Sequence, residues 1–110
     1  MNIQKEDQGD VVVFTLNGRI DTQGAMELEE ALHGAIEANK NRIVLNVEEV
    51  RYINSSALRI LAEILTYTRK HHGDLYLVGL QPRIKRVFEI IGFDKFFTFH
   101  DNVEVAVASF

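Results

Sequence analysis

Short apolar runs alternate along the chain with longer stretches in which apolar residues recur every three or four positions. Residues 11–16, 43–47 and 75–78 are rich in valine, leucine and isoleucine, which predicts strands. The stretches between these runs have the periodicity of amphipathic helices. Strands that alternate with helices favour right-handed βαβ crossovers, and therefore a mixed sheet whose inner strands are parallel. This alternation limits the possible folds more than any other feature of the sequence, and it predicts the α/β class.

Three helices are predicted between and after these strands. Gly18 interrupts the first strand pattern, and Asp21 or Thr22 is the expected N-cap of the first helix. The second helix is expected to end at Gly73, and the third to begin at Pro82 and to end at a left-handed glycine ten residues later. The predicted apolar faces are Ala25, Leu28, Leu32 and Ile36 in the first helix, Leu58, Leu61, Leu65 and Thr68 in the second, and Ile84, Val87, Phe88 and Ile91 in the third.

Two more strands and one more helix are predicted near the chain ends. Residues 3–6, followed by an Asp-Gln-Gly-Asp turn, predict a hairpin with residues 11–16, and residues 96–99 predict the last strand. Asp101 with Glu104 three residues later resembles a capping box that opens a terminal helix. The predicted order is ββαβαβαβα, with about four helices and a single domain over residues 1–110.

The composition disfavours several classes of function. The net charge of -4 comes from 12 basic and 16 acidic residues with no long run of either sign, so a direct nucleic-acid interface is not expected. Cysteine is absent, which removes disulfides and thiolate chemistry. No apolar stretch approaches the ~18 residues of a membrane span, and the first ten residues lack the apolar core of a signal peptide. A cytoplasmic protein without membrane contact is therefore expected.

Two hydroxyls lie where the central strand is predicted to give way to the second helix. Ser55 and Ser56 follow the strand directly, at the edge of α/β sheets where ligands and partners bind. A helix N-terminus has free N–H groups and a partial positive charge, so it tolerates a phosphate on either serine. Serine is also a favoured N-cap. On position alone, capping is the favoured interpretation of one of the two serines.

The segment around these serines resembles a known phosphoacceptor motif. Residues 53–58, Ile-Asn-Ser-Ser-Ala-Leu, are similar to the Asp-Ser-Ser/Ala-Gly-Leu motif of the STAS family, the sulfate transporters and anti-sigma factor antagonists. Residues 16–21, Leu-Asn-Gly-Arg-Ile-Asp, resemble the early signature of that family. Residues 43–47 and 92–97 stand where its central strand and its late Gly-Leu/Phe-Asp-x-x-Phe segment do. The resemblance covers essentially the whole chain and implies a STAS-like fold.

The resemblance also implies a function for the serine segment. Ser55 corresponds to the serine that a partner anti-sigma factor kinase phosphorylates, and Asp21 to an acidic residue on the same surface. In the family's cycle, the unphosphorylated antagonist binds the anti-sigma factor and frees a sigma factor. Phosphorylation releases the antagonist, and a PP2C-type phosphatase restores it. The implied partner-binding residues are Asp21, Asn54, Ser55, Ser56, Ala57 and Leu58.

Three positions depart from the family pattern. Asn46 and Asn54 replace the usual aspartates, and Ala57 replaces the usual glycine after the serines. Asn54 keeps a side chain that caps or turns but removes a negative charge beside Ser55. Ala57 stabilises a helix by up to ~1 kcal/mol more than glycine. These departures leave open a second hypothesis, an unphosphorylated STAS scaffold or accessory domain of a stressosome or a transport system.

No residues suggest catalysis, a metal site or a cofactor. The chain contains no Gly-x-Ser-x-Gly elbow, no phosphate-binding P-loop and no dinucleotide fingerprint. Its four histidines have no third ligand at zinc spacing. We therefore expect an interaction module rather than an enzyme.

Overall fold

A computed structural model describes all 110 residues as five strands and four α-helices. The order ββαβαβαβα predicted from the sequence is confirmed, with one short 3-10 helix after the third α-helix. The elements are β1 Asn2–Gln8, β2 Val11–Ile20, α1 Thr22–Glu37, β3 Arg42–Ile53, α2 Ser55–Lys70, β4 Asp74–Val78, α3 Pro82–Ile91, the 3-10 helix Phe93–Lys95, β5 Thr98–His100 and α4 Val103–Ala108.

The five strands form one sheet in the order β1-β2-β3-β4-β5. β1 is antiparallel to β2, as expected of a hairpin, whereas β2, β3, β4 and β5 pair in parallel. Each parallel pair is connected by a helix, because parallel neighbours need a crossover. The predicted mixed sheet with parallel inner strands is confirmed.

Two apolar clusters cover the two faces of the sheet. The larger contains 23 buried residues and joins α1, α2 and α3 to one face, with Leu28, Leu61 and Phe88 among its members. The smaller joins Ala106 of α4 to valines of the opposite face, including Val44. Strand side chains alternate between the two faces of the sheet. Because both faces are covered, the inner strands have continuous apolar sequences.

β2 and β3 extend beyond their neighbours at one end of the sheet. The pairing of β1 with β2 ends at Asn2–Asn17, and the pairing of β3 with β4 ends at Asn46–Val78. Residues 18–20 and 50–53 therefore pair only with each other, and we call them the two-stranded extension. Gly18, with φ of 125°, lies within β2 instead of ending it, so the predicted strand end was wrong.

Two predicted features of α3 and α4 need correction. Ile91 is 45% exposed, although the spacing placed it in the buried stripe. The chain turns away at Gly92, and the rings of Phe93 and Phe97 pack on Phe88 at centroid distances of 6.1 and 5.6 Å, so Ile91 stays at the edge. In α4 the N-cap is Asn102 rather than the residue before it. Its side chain accepts a hydrogen bond from the N–H of residue 105 at 2.9 Å.

The ends of α2 and of the last strand also differ from expectation. α2 ends at Lys70, and His72 adopts a left-handed φ of 64° before Gly73. Gly73 is required for close approach, since a Cβ there would lie on the carbonyl oxygen of Asn41. The last strand begins at Thr98 because the N–H groups of Phe96 and Phe97 bond back to the carbonyl oxygen of Phe93 in the turn that follows the 3-10 helix.

Candidate partner-binding site

The two strand–helix junctions at the end of the extension lie side by side. Ile20, the last residue of β2, pairs with Ile53, the last residue of β3. The N–H of Asn54 donates to the carbonyl oxygen of Ile20 at 2.9 Å. Asp21 and Asn54 therefore occupy equivalent positions on neighbouring junctions. The register thus brings Asp21 onto the same edge of the sheet as Asn54 and Ser55.

Each junction is closed by a side-chain cap. The Asp21 carboxylate accepts a hydrogen bond from the N–H of Gly24 at 2.9 Å, and the Asn54 side-chain oxygen accepts one from the N–H of Ala57 at 2.9 Å. Of the two predicted caps for α1, Asp21 is therefore the correct one. The expectation that a serine caps α2 is wrong, because Asn54 takes that role and Ser55 is the first helical residue.

The predicted site residues divide into an exposed and a buried set. Ser55 and Ser56 are exposed, so both hydroxyls are accessible to another protein. Ala57 is fully buried and Leu58 is only 8% exposed. These two side chains hold the start of α2 on the core, while Asn54, which is half-buried, shapes its first turn. Asp21 is exposed as well, so Asp21, Ser55 and Ser56 present surface to a partner in the free protein, whereas Ala57 and Leu58 do not.

Two features of opposite sign surround Ser55: the positive N-terminus of α2 and the Asp21 carboxylate on the neighbouring junction. The first turn of α2 contains no acidic residue, whereas Arg69 and Lys70 lie in its last turn. The unpaired N–H groups and the helix dipole make the first turn partially positive. Asn54 caps this turn without a charge, so a phosphate on Ser55 would have no carboxylate at the preceding residue to repel it.

Glycine at one position lets the first junction form. Gly24 is buried in the first turn of α1, and a Cβ built there would lie 2.7 Å from the carbonyl oxygen of Arg19. Real Cβ atoms essentially never approach backbone oxygen so closely. The close approach of α1 to β2 fixes Asp21 at the edge. This requirement is not predictable from the sequence, because a glycine inside a helix pattern carries no sign of what it touches.

Sequence reasoning also missed an exposed pair on the extension. Arg19 and Tyr52 are register partners, and the guanidinium carbon lies 4.4 Å from the centroid of the Tyr52 ring. Both residues are exposed. Only the pairing register brings them together, and a single sequence does not contain that register.

The site offers surface rather than a cavity. A groove of about 400 Å³ lies at the opposite end of α2, where Leu65, Arg69 and Phe96 contribute to its lining. No three His, Cys, Asp or Glu side chains converge as metal ligands would. No helix is both long and apolar enough to cross a bilayer. The fold and the site together define a small α/β domain that presents exposed hydroxyls at a helix N-terminus.

The chain belongs to the STAS domain family, whose model matches residues 2–106. It is 31% identical over 100 residues to BtrV, a candidate anti-sigma factor antagonist of Bordetella bronchiseptica, covering 91% of this chain and 86% of that protein. It is 29% identical over 105 residues to the anti-sigma-B factor antagonist of Staphylococcus aureus, covering 96% of this chain and 97% of the relative.

Solved structures share the fold at lower identity. The crystal structure of a candidate anti-sigma factor antagonist from Thermotoga maritima matches with a TM-score of 0.90 at 20% identity, covering 97% of this chain and 92% of that one. The phosphorylated form of the Bacillus cell fate determinant SpoIIAA matches with a TM-score of 0.77 at 20% identity, covering 98% and 97% of the two chains. These matches confirm the predicted STAS-like fold.

Proposed function

We propose that this chain is an anti-sigma factor antagonist whose affinity for its partner is switched by phosphorylation of Ser55. The unphosphorylated protein binds an anti-sigma factor that is also a serine kinase, and a sigma factor is thereby freed. The kinase then phosphorylates Ser55 and the complex dissociates. A PP2C-type phosphatase regenerates the binding form. The chain itself has no catalytic role, and the cycle takes place in the cytoplasm.

The proposal rests on one observation: Asn54, and not Ser55, caps α2. Asn54 caps α2 with its side chain, so the hydroxyl of Ser55 is not needed for the fold. Ser55 is exposed at the first helical position, beside Asp21 on the neighbouring junction. A kinase can reach this hydroxyl without unfolding the helix, and the modification leaves the cap in place.

The physical basis of the switch is the charge that phosphate adds. A phosphoserine carries about -1.5 to -2 charges at neutral pH. In an interface formed around a neutral hydroxyl, this charge must lose water and meets groups arranged for a smaller, uncharged oxygen. In the free protein the same phosphate stays solvated at the positive end of α2. Phosphorylation therefore stabilises the free form relative to the complex.

The names of two similar proteins support the proposal. The Staphylococcus aureus relative is an anti-sigma-B factor antagonist, and SpoIIAA, a structural neighbour, has been solved in a phosphorylated form. Ser55 is the exposed hydroxyl at the phosphoacceptor position of the motif that this chain resembles. Together these points favour a switch module over a permanently bound one.

Variants of the two serines test the assignment. Ser55→Asp should weaken binding to the cognate anti-sigma factor at least tenfold, which equals ~1.4 kcal/mol, because a charge enters the interface. Ser55→Ala should bind like the wild type and accept no phosphate. Ser56→Ala is the matched control, since it removes an equally exposed neighbouring hydroxyl and should still be phosphorylated. Phosphate that remains on Ser55→Ala and disappears from Ser56→Ala would refute the assignment.

One observation favours a second function. Asn54 and Ala57 depart from the phosphoacceptor motif, as a STAS scaffold or accessory domain of a stressosome or transport system would be free to do. Ala57 lies at a fully buried helical position and does not have a positive φ, so its backbone conformation does not require the glycine of the motif. A chain that binds its partner equally well before and after kinase treatment would favour this second function.

A further inference from the structure

Arg19 and Tyr52 form an exposed, preorganised pair on the two-stranded extension. The guanidinium carbon lies 4.4 Å from the ring centroid, and Tyr52 is 39% exposed. The ring restrains the long arginine side chain, which would otherwise lose rotamer freedom on binding. The pair therefore presents a fixed cation and a partly open aromatic surface.

Arg19 has no carboxylate partner within the chain. None of the ion pairs in the structure includes Arg19, whereas Arg51 on the same extension lies 3.4 Å from the carboxylate of Glu49. A guanidinium stacked on a ring keeps its N–H edge available, and that edge matches the two oxygens of a carboxylate. An unpaired arginine in this state is complementary to an acidic side chain of another protein.

The position of the pair places it within reach of a partner docked at Ser55. Arg19 precedes Asp21 by two residues, and Tyr52 precedes Ser55 by three. At ~3.3 Å per residue of extended chain, Tyr52 lies within about 10 Å of Ser55. A standard interface covers about 800 Å² of each partner, a patch about 30 Å across. The extension also projects past β1 and β4, so neither strand flanks the pair there.

We propose that Arg19 and Tyr52 form the binding hot spot of the surface around Asp21, Ser55 and Ser56. They receive an acidic side chain of the anti-sigma factor together with an adjacent apolar group. The carboxylate pairs with the Arg19 guanidinium, and the apolar group packs on the open part of the Tyr52 ring. Arginine and tyrosine dominate hot spots because they combine directed hydrogen bonds with large contact area. This inference rests on the proposed function, since the partner is the one named there.

Binding titrations with the purified anti-sigma factor test the proposal. Arg19→Ala and Tyr52→Ala should each weaken binding at least tenfold. The double variant should lose less than the product of the two effects, because the Tyr52 ring also holds the Arg19 guanidinium in place. Arg51→Ala is the matched control and should change the affinity less than threefold. In labelled wild-type protein, the side-chain Nε–H resonance of Arg19 should shift on addition of the unlabelled partner, while that of Arg51 should not.

The outcomes separate this inference from the proposed function. In one outcome, the wild-type protein binds in a way that depends on Ser55, while Arg19→Ala, Tyr52→Ala and Arg51→Ala all bind as strongly as the wild type. That result would overturn the hot spot and leave the proposed function standing. An unmoved Arg19 resonance in the complex would overturn it as well, and this readout needs no variant to fold. A wild-type protein that binds no anti-sigma factor at all would overturn both.

Discussion

Replacing Phe88 tests the account of how α3 is held on the sheet. Phe88 is only 1% exposed, and its ring makes edge-to-face contacts with Phe93, Phe97 and Phe99 at centroid distances of 6.1, 5.6 and 6.0 Å. Truncation of a buried phenylalanine to alanine costs about 3–5 kcal/mol. Because aromatic pairs contribute about 0.5–1.5 kcal/mol each beyond burial, we expect Phe88→Ala near the top of that range.

Ile91 provides the matched control on the same helix. It is 45% exposed, so Ile91→Ala should lose about half of the ~1.5–3 kcal/mol that full burial of such a side chain provides. Urea unfolding followed by far-UV circular dichroism measures both. With a slope of about 1–3 kcal/mol per molar, Phe88→Ala should lower the midpoint by more than about 1 M. Phe88→Leu, expected to lose about 0.5–3 kcal/mol, keeps the test possible if the alanine variant unfolds. Equal midpoint losses at positions 88 and 91 would refute the reasoning.

Other predictions concern the caps, the glycines and one tyrosine. Gly24→Ala should destabilise the protein, because its Cβ would lie 2.7 Å from a backbone oxygen. Gly34→Ala has nothing within 4 Å of its Cβ and should stabilise α1 by up to ~1 kcal/mol. Thermal melts of the two variants check both expectations. Asn54→Ala should cost ~0.5–2 kcal/mol in urea unfolding by removing the α2 cap, and no loss would contradict the capping geometry. Burial and, to a smaller extent, the charge of Asp74 raise the pKa of Tyr76 above 10.0. The charges of Arg69 and Arg42 oppose this shift. Since the folded pKa is the higher one, the free energy of unfolding should be undiminished below pH 10 and fall as the pH rises beyond it. Tyr76→Phe should lessen that fall in urea titrations between about pH 9 and pH 11.

Much of the fold could be predicted from local patterns. The third helix is the clearest case, because Pro82 at its start and Gly92 at its end each have a backbone reason that operates within a few residues, and both are found where expected. The stripe within that helix was predicted less well. Helical spacing predicts which side chains share a face but does not show where the chain leaves the helix. It therefore placed Ile91 in the core, although the rings of Phe93 and Phe97 fill the space beside Phe88.

The candidate site was predicted in part. Motif resemblance indicated Ser55 and Asp21 as candidates, but the choice between Asn54 and the serines as cap depends on a backbone position that differs by one residue. The pairing of Arg19 with Tyr52 depends on the register of two strands separated by a helix. Irregular pairing shifts that register near Asn46, where the side-chain oxygen accepts the N–H of Glu48 at 3.2 Å. Such non-local geometry leaves no pattern in a single sequence.

The most direct test of the central claim compares phosphorylated and unphosphorylated wild-type protein in a titration against the cognate anti-sigma factor. The kinase is first used with ATP, and mass spectrometry locates the phosphate. We expect the phosphate on Ser55, and we expect the phosphorylated form to bind at least tenfold more weakly, a difference of ~1.4 kcal/mol. Equal affinities of the two forms, or phosphate found only on Ser56 or a threonine, would contradict it.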